Sequence, residues 1–348
     1  MKPRNAAVWA VALAVGASWV ACSIPSGVFY RCEVGGGCNP GFECIDDHCL
    51  PVTPEDADGG PDAGEDAGTI DAGSEDGGSD AGAPANAVPV TWSNPQPLGT
   101  LNTGASERMP TVTPDQSRIC FVSSRASATE DIWCASRAGA DFGAPTLQDT
   151  LLPGESTEHP ELSADGTELF FSALDAGYPD LFRATLSGGR FENAEWILSL
   201  GAEGYDTGPS LGGDGRTLYF QSDRAGASGA DIYVTTRSTA GTGTDFASPT
   251  ELIVLSSKGG DREPAVSPDG GYLVYTSDRD AGFGGVLIWL SVREAGGWSQ
   301  PRAVRLEGIT TEVQGLDLAD DDTLYFQTRP VEGGDADLFR ADPVYPEP

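Results

Sequence analysis

The stretch SPDGGYLVYTSDR, residues 267–279, decides the fold of this protein. Its first part, Pro-Asp-Gly-Gly, supplies the residue types that a tight turn requires. Its second part is a run of aromatic, aliphatic and β-branched residues, which is typical of a strand buried inside a sheet. The stretch therefore predicts a turn that leads into a buried β-strand.

Two landmarks of this kind recur in order along residues 92–342. The first is an aromatic residue followed three positions later by Pro: Trp92/Pro95, Phe142/Pro145, Phe246/Pro249 and Trp298/Pro301, with Phe191/Ala194 as a degenerate copy. The second is Pro followed five positions later by Asp: Pro110/Asp115, Pro160/Asp165, Pro209/Asp214 and Pro264/Asp269, with Gly315/Asp320 as the fifth copy. Successive landmark Asp residues lie 50, 49, 55 and 51 positions apart, which indicates an internal repeat.

Two further landmarks complete each repeat. The third is an apolar run after the landmark Asp, at residues 119–121, 169–171, 218–220, 273–275 and 324–326. The fourth is Asp, then Ile or Leu, then an aromatic residue, at 131–133, 180–182, 231–233 and 337–339, with Leu287 replacing the Asp at 287–289. Turn residues separate these segments, and no apolar stripe at helical spacing occurs. Four strands in a repeat of this length are typical of a propeller blade.

Five copies of four landmarks predict an all-β fold, a five-bladed β-propeller of four-stranded blades. The repeat region opens on the first landmark and closes on the fourth, so its two ends together supply one complete blade. We expect the strand near Trp92 to be the outer strand of the last blade, because incomplete blades would leave exposed sheet edges. A sixth, degenerate blade is the alternative, although no residues are left to form it.

The repeat resembles the PD40 (WD40-like) repeat of the TolB family. Residues 267–279 carry the resemblance best, residues 163–166, 213–215 and 114–115 match in part, and residues 320–322 depart most. The resemblance implies a propeller, predicted over residues 90–342 with a tail at 343–348, that binds a protein or peptide. It is a strong guide to fold and a weak guide to function, because propellers host many activities.

Residues 1–21 resemble a bacterial lipoprotein signal peptide. Lys2 and Arg4 precede an apolar run at residues 6–20, which is too short to span a membrane as a helix. The run ends at Ala21-Cys22, as in a lipobox, although Trp19 stands where that motif usually has Leu. Ordinary signal cleavage near Ala21 is the alternative.

The lipobox resemblance implies that Cys22 is lipidated and begins the mature chain. Because Ser23, and not Asp, follows the Cys, the resemblance implies an outer-membrane lipoprotein in the cell envelope of a Gram-negative bacterium. We expect the lipid to be the only attachment to the membrane. The formal net charge of −33 disfavours nucleic acid as a partner.

Residues 22–50 are predicted to form the lipidated N-terminus and a small disulfide module. Four cysteines follow the spacing C-x5-C-x5-C-x4-C, and so short a segment cannot bury a core without cross-links. We favour Cys32–Cys44 with Cys38–Cys49 among three possible pairings. A zinc knuckle that uses His48 is the alternative, although the C-x2-C spacing of such sites is absent.

Residues 51–89 are predicted to form a disordered acidic linker. Asp, Ala, Gly and Pro dominate it, and from residue 53 it holds ten acidic residues and no Lys or Arg. Such a composition cannot bury enough apolar surface to fold. Calcium chelation is the alternative, although EF-hand spacing is absent.

An Arg recurs after the third landmark, as Arg125, Arg224, Arg279 and Arg329, with Leu174 in blade two. We expect each Arg to brace its hairpin through a charge-assisted bond to a nearby Asp; the strand-opening candidates are Asp131, Asp180, Asp231 and Asp337. Blades two and four each lack one of these partners and should be the most loosely tied. Binding of a ligand by the Arg residues is the alternative.

Two further features of the propeller are singled out. Cys120 and Cys134 fall on adjacent strands of blade one, which predicts a cross-strand disulfide, with a reactive pair as the alternative. His159 aligns with Met109, Gly208, Glu263 and Gln314, and should lie near the central channel on the face formed by the connections into the inner strands. The candidate binding mouth comprises Arg108, Glu158, His159, Asp206, Arg262 and Glu263, with a solvated loop as the alternative.

Neither G-x-S-x-G nor H-E-x-x-H occurs, and the propeller has a single His. We therefore expect no catalytic residues, no metal and no cofactor. The sequence favours a monomeric, non-enzymatic scaffold that binds an envelope protein or peptide. A carbohydrate-binding surface propeller and a glycosidase-type hydrolase are the alternatives; exposed aromatic residues on one face would favour sugar, and a mixed-charge mouth would favour polypeptide.

Overall fold

The computed structural model describes residues 42–45, 48–51, 87–126, 130–175, 177–224, 229–279, 287–329 and 334–347. The described residues divide between two units, one within Met1–Gly78 and one within Ser79–Pro348. In the first unit, β1 (Phe42–Ile45) and β2 (His48–Pro51) form an antiparallel hairpin whose backbone register places Cys44 opposite Cys49. Cys22, Cys32, Cys38, the signal peptide and residues 52–86 of the linker lie outside the described residues, so the expectations for them stay predictions.

The second unit is a five-bladed β-propeller, as the repeat predicted. It begins with β3 (Thr91–Pro97). Blade one contains β4 (Glu107–Val112), β5 (Arg118–Ser123), β6 (Asp131–Ala138), β7 (Asp141–Phe142) and β8 (Thr146–Leu147). Blade two contains β9 (Thr157–Leu162), β10 (Glu168–Asp175), β11 (Tyr178–Ser187) and β12 (Arg190–Trp196).

The remaining blades repeat this order of strands. Blade three contains β13 (Asp206–Leu211), β14 (Thr217–Ser222), β15 (Asp231–Thr236) and β16 (Thr250–Glu251). Blade four contains β17 (Asp261–Val266), β18 (Tyr272–Ser277), β19 (Leu287–Glu294), β20 (Gly297–Trp298) and β21 (Arg302–Val304). Blade five contains β22 (Val313–Leu318), β23 (Leu324–Thr328) and β24 (Asp337–Val344). In blades one and four, the fourth strand is divided into two short strands that both pair with the third strand. These are β7 and β8 in blade one, and β20 and β21 in blade four.

The ring closes by the predicted clasp, in which the first strand of the chain completes the last blade. The order of strands in blade five is β22-β23-β24-β3, and the register pairs Phe339 with Pro97 and Val344 with Thr91. Every described strand from β3 onward belongs to one of five blades, so the described residues contain no sixth blade.

Five buried clusters form the core, one at each contact between neighbouring blades. Successive side chains of each second strand point to opposite faces of the blade and so enter different clusters, here called seams. In blade two, Leu169 and Phe171 pack toward blade one, whereas Phe170 between them packs toward blade three. A blade therefore buries its two faces only against two neighbours, which is why the repeat closes into a ring.

The register corrects the landmark assignment in blade five. The landmark Asp is Asp321, not Asp320, because its Oδ1 accepts the backbone N–H of Thr323 just as Asp115 accepts that of Ser117. The place of the strand Pro is taken by Leu316, and the residue equivalent to His159 is Gly315 rather than Gln314. Without the Pro, the blade-five sequence offered no anchor for the alignment, and the prediction was one residue out of register.

A backbone feature confirms this new alignment. The five equivalent inner-strand residues all have positive φ: Met109 (52°), His159 (49°), Gly208 (58°), Glu263 (51°) and Gly315 (59°). The same strands carry a register shift at this point against their neighbours. Each inner strand thus has a bulge that turns this residue toward the centre of the ring.

Candidate functional site

The antiparallel strand order gives the propeller two distinct faces. One, here called the entry face, carries the connections into the inner strands and the hairpins between second and third strands. The other, here called the turn face, carries the landmark Asp turns. Residues at the start of the inner strands, His159 among them, therefore lie at the entry face as predicted.

Three blades brace their entry-face hairpin with an arginine. Arg125, Arg224 and Arg279 pair with the acid that opens the inner strand of the same blade, at 3.1 Å from Glu107, 2.8 Å from Asp206 and 2.6 Å from Asp261. Each guanidinium also donates to the carbonyl of a buried leucine 24 residues earlier: Leu101, Leu200 and Leu255. Each lies over the two aromatic rings of its own hairpin. These contacts give the recurrent Arg a structural role, as predicted.

The acid that pairs with each arginine differs from the prediction, and the blades that lack this ion pair are also different from those predicted. The arginines pair with the inner-strand acid and not with the Asp that opens the third strand, so Leu287 does not weaken blade four. The register aligns Ala173 of blade two with Ser123, Ser222 and Ser277, so the brace positions of blade two are Thr157 and Asp175, and Leu174 stands one residue earlier than predicted. Blade five has Val313, and its exposed Arg329 also stands one residue before the brace position. The unbraced blades are therefore two and five.

A pocket with a volume of about 580 Å³, here called the entry pocket, opens on the entry face. Residues from blades two, three and four line it: Glu158, His159, Pro179, Tyr205, Thr207, Gln221, Asp223, Gly229, Ala230 and Arg262. Three residues of the predicted mouth, Glu158, His159 and Arg262, thus meet in one cavity.

The other three residues of the predicted mouth lie elsewhere. Arg108 forms an ion pair with Glu130. Asp206 is buried beneath the surface as the partner of Arg224. Glu263 lies on the central axis, where it accepts the backbone N–H of Gly315 at 2.9 Å and helps to line a small cavity of about 30 Å³. Sequence position alone could not separate these buried carboxylates from the surface ones.

His159 is held as a neutral ring. Burial, together with the nearby Arg108, lowers the pKa of His159 to about 4. The Ser172 hydroxyl lies 2.9 Å from His159 Nδ1 and 3.2 Å from the carbonyl of Glu158, so Nδ1 is engaged within blade two. The ring therefore adds no charge to the pocket.

Carboxylates outnumber available cations in the entry pocket. Arg262 is paired with Asp278 at 3.2 Å. Asp223 uses Oδ1 to accept the backbone N–H of Tyr205 at 2.7 Å, and neither Asp223 nor Glu158 forms an ion pair with a Lys or Arg of the described chain. The pocket is consequently mixed in charge, with two carboxylates left uncompensated.

An exposed apolar rim borders the pocket, and the sequence did not reveal it. Tyr205 is 53% exposed, Tyr178 is 47% exposed and Leu174 is 56% exposed. The two tyrosine rings pack edge to face with their centroids 5.7 Å apart. One signal was present in the sequence: blade two lacks the recurrent arginine, and Leu174 stands where blades three and four have Asp223 and Asp278.

A ring of inner-strand side chains lies beneath the axial cavity. Thr111, Glu161 and Ser210 each accept the backbone N–H of the next blade, and Asp317 accepts that of Val112 at 2.6 Å. Blade four has Ala265 at this position, and Asp317 also accepts the N–H of Leu318 at 2.9 Å. Burial raises the pKa of Asp317 to about 7, and burial together with Asp317 raises the pKa of Glu161 well above its usual value. These carboxyls satisfy the backbone and do not open into the pocket.

The predicted disulfide is present: Cys120 and Cys134 lie opposite each other on β5 and β6 and are bonded. Within the described ranges, no group of three or more His, Cys, Asp or Glu side chains could hold a metal ion. The described part of the chain also contains no helix long and apolar enough to cross a membrane.

No protein-family model and no curated protein matches the chain. Among solved structures, TolB from Acinetobacter baumannii is 17% identical with a TM-score of 0.47; the match covers 71% of this chain, which spans only 57% of that TolB chain. An α-L-arabinofuranosidase from Lactobacillus brevis is 13% identical with a TM-score of 0.48, over 70% of this chain and 95% of that one. One from Podospora anserina, in complex with cellotriose, is 14% identical with a TM-score of 0.47, over 74% and 98%.

Proposed function

We propose that this protein is an exported, lipid-anchored, monomeric protein of the bacterial cell envelope whose propeller binds a protein segment or peptide without catalysing a reaction. The observation that supports binding of polypeptide is the composition of the entry pocket. It joins an apolar rim to side chains of both charges and to exposed hydrogen-bond acceptors, which is the mixture that recognises a polypeptide.

The placement of the pocket also suits this role. Its lining comes from three neighbouring blades, each of which is held rigid by the seams between them. A rigid scaffold lowers the entropy cost of binding, because few side chains need to be ordered on association. We expect the acidic tether to be disordered, as its composition predicts, and a flexible tether lets a lipid-anchored propeller reach partners away from the membrane.

A photocrosslinking experiment tests the binding role in the full chain. Tyr205 is replaced by p-benzoylphenylalanine, a similar aromatic residue, and the matched control carries the same residue at the exposed Glu294 on the turn face. We expect illumination of cell envelopes to give polypeptide adducts at position 205 and not at 294. Equal adducts at both positions, or none at either, would contradict the proposal.

A carbohydrate ligand is the second candidate, and the exposed tyrosine pair favours it. Sugars stack on free aromatic faces, whereas the 80° angle between Tyr178 and Tyr205 directs the edge of one ring against the face of the other. A glycan array with the purified chain separates the candidates. Glycan binding that is lost in Tyr205→Ala, without polypeptide adducts, would replace our proposal by this one.

A hydrolase is tested with the two pocket carboxylates. Glycosidases use a pair of carboxyl groups, and Glu158 and Asp223 line the same cavity. We expect no turnover on a panel of aryl glycosides. Turnover that disappears in both Glu158→Gln and Asp223→Asn would overturn the non-catalytic role.

Lipid anchoring is tested independently at Cys22. Replacement by Ala removes the thiol that would carry the acyl chains, so the protein should move from the membrane fraction to the soluble fraction. Unchanged membrane fractionation of Cys22→Ala would refute the anchor and leave the binding role of the propeller untouched.

A further inference from the structure

We infer that the entry pocket recognises a cationic side chain of the bound polypeptide, with arginine preferred to lysine; this inference rests on the proposed function. The pocket offers a ligand mainly acceptors of hydrogen bonds, together with negative charge that the chain itself does not neutralise. The complementary group is a cation that carries several N–H donors, and the guanidinium of arginine has five of them in one plane.

The acceptors come from two carboxylates on two blades. His159 lies beside one of them, and its Nδ1 is hydrogen-bonded to Ser172 at 2.9 Å. Glu158 is 38% exposed, and the neutral imidazole beside it provides no balancing charge. Oδ1 of Asp223 accepts the backbone N–H of Tyr205, and no described residue donates a hydrogen bond to Oδ2 of Asp223. An incoming donor would therefore complete bonds that the free protein leaves to water.

The cations around the pocket are already matched within the chain. Arg262 lies in the pocket wall but is bonded to Asp278, and Arg108 near the axis is bonded to Glu130. Glu158 and Asp223 are then the charged side chains of the pocket that form no ion pair with a described Lys or Arg. An anionic ligand would meet two uncompensated carboxylates, whereas a cation would pair with them inside the pocket.

The aromatic rim adds a contact that favours arginine over lysine. Tyr205 lines the pocket beside Asp223, and half of its surface is exposed. A planar guanidinium can stack on such a ring while its edge bonds to carboxylates, and an ammonium cannot do both with the same geometry. The braces of this same propeller show the arrangement internally, since Arg224 lies 5.1 Å from the ring centroid of Phe220 while it bonds to Asp206.

Four pentapeptides with the sequence acetyl-Ala-Ala-X-Ala-Ala-amide test the inference, with X as arginine, lysine, citrulline or glutamate. Citrulline has nearly the shape of arginine but no charge. Binding to the full-length purified protein is measured by isothermal titration or by NMR line broadening of the peptide. We expect the arginine peptide to bind about tenfold more tightly than the citrulline peptide, the difference that one charge-assisted hydrogen bond provides. The lysine peptide should fall between them, and the glutamate peptide should bind least.

Two variants locate the recognition in the entry pocket. Glu158→Gln and Asp223→Asn each remove one charge, and the Asn can still accept the N–H of Tyr205, so the fold should be kept. Each should weaken the arginine peptide about tenfold and leave the citrulline peptide unchanged. Glu294→Gln, an exposed carboxylate on the turn face, is the matched control and should change neither.

The outcomes separate this inference from the proposed function. Equal binding of the arginine and citrulline peptides, or no binding of the arginine peptide, would overturn the inference. If crosslinks from position 205 still form in that case, the pocket binds polypeptide by other means and the proposed function stands. If neither crosslinks nor peptide binding are found, both fail.

Discussion

Blades two and three build the same entry-face hairpin in two different ways. In blade three, Arg224 bonds to Asp206, to Ser222 and to the carbonyl of Leu200, and its guanidinium lies over Phe220 and Tyr233. In blade two, the equivalent rings of Phe171 and Phe182 stack with centroids 5.6 Å apart, as Phe220 and Tyr233 do at 6.0 Å, but no described arginine forms a brace. Ring stacking is common to both hairpins, and only blade three adds the charged brace.

The difference shows where the repeat allows a surface for binding. Blade two, which has no brace arginine, presents two apolar side chains to solvent beside the entry pocket: Leu174, which is paired with the pocket residue Pro179, and Tyr178, which packs on Tyr205. Blade five is also unbraced: its inner strand opens with Val313, its rings Phe326 and Phe339 stack at 5.8 Å, and its exposed Arg329 stands one residue before the brace position. The brace forms in the three blades that have both the arginine and the inner-strand acid. A hairpin without the brace has side chains available for other contacts.

The largest effect is expected from breaking the brace of blade three. Asp206→Ala leaves the half-buried charge of Arg224 without its carboxylate, which should lower the free energy of unfolding by about 3 kcal/mol. The matched change in blade two, Thr157→Ala, removes a neutral hydrogen bond to the backbone of Ile132 and should cost about 1 kcal/mol. Urea unfolding of the two variants measures both. Equal losses would mean that the brace does not distinguish the blades.

A second contrast, between the inner strands of blades four and five, predicts a dependence on pH. Burial raises the pKa of Asp317 to about 7, whereas Ala265 cannot titrate. At pH values between the usual pKa of an Asp side chain and about 7, Asp317 therefore keeps its proton in the folded chain and has lost it in the unfolded chain. The free energy of unfolding should fall as pH rises through this window, by up to about 1.4 kcal/mol per pH unit.

The variant Asp317→Asn tests this origin, because it keeps an oxygen for the N–H of Val112 but cannot ionise. Its free energy of unfolding should depend less on pH between about 4 and 7 than that of the natural chain; Glu161, whose pKa is also raised, retains part of the slope. Asp115→Asn is the control of opposite sign. Hydrogen bonds from Ser117 and Thr113 lower the pKa of Asp115, so its stabilisation is lost only as pH falls into the acid range. An unchanged slope in Asp317→Asn would contradict the assignment.

The smallest change in stability is expected when the blade-three brace is copied into blade two. Thr157→Asp with Asp175→Arg places both partners at equivalent positions, and a new ion pair of this kind changes the free energy of unfolding by less than about 1 kcal/mol. Binding should respond more strongly, since the hairpin that carries the apolar rim exchanges a carboxylate for a cation. Photocrosslinking from position 205 measures the loss. Full retention of adducts would show that the missing brace has no bearing on the pocket.

Local signals were enough to predict the number of blades and the order of their strands. The landmark Asp, the strand Pro and the apolar runs act within a few residues of each other, so their spacing reports the repeat directly. Where one of them is missing, as the Pro is at Leu316, the prediction lost its register by one residue. The disulfide between Cys120 and Cys134 was predictable for the same reason, because adjacent strands of one hairpin bring them opposite each other.

The sequence by itself determined the propeller, its clasp and the presence of a recurrent arginine, since each follows from a pattern repeated along one chain. Only the tertiary structure decided which carboxylate faces that arginine, which of the mouth residues are buried, and that Glu158, Tyr205 and Asp223 share one cavity. The physical reason is that charge pairing and burial depend on distances across strands and blades. Spacing along the chain specifies the strand that a residue belongs to, and it leaves open which groups on neighbouring strands come within bonding distance.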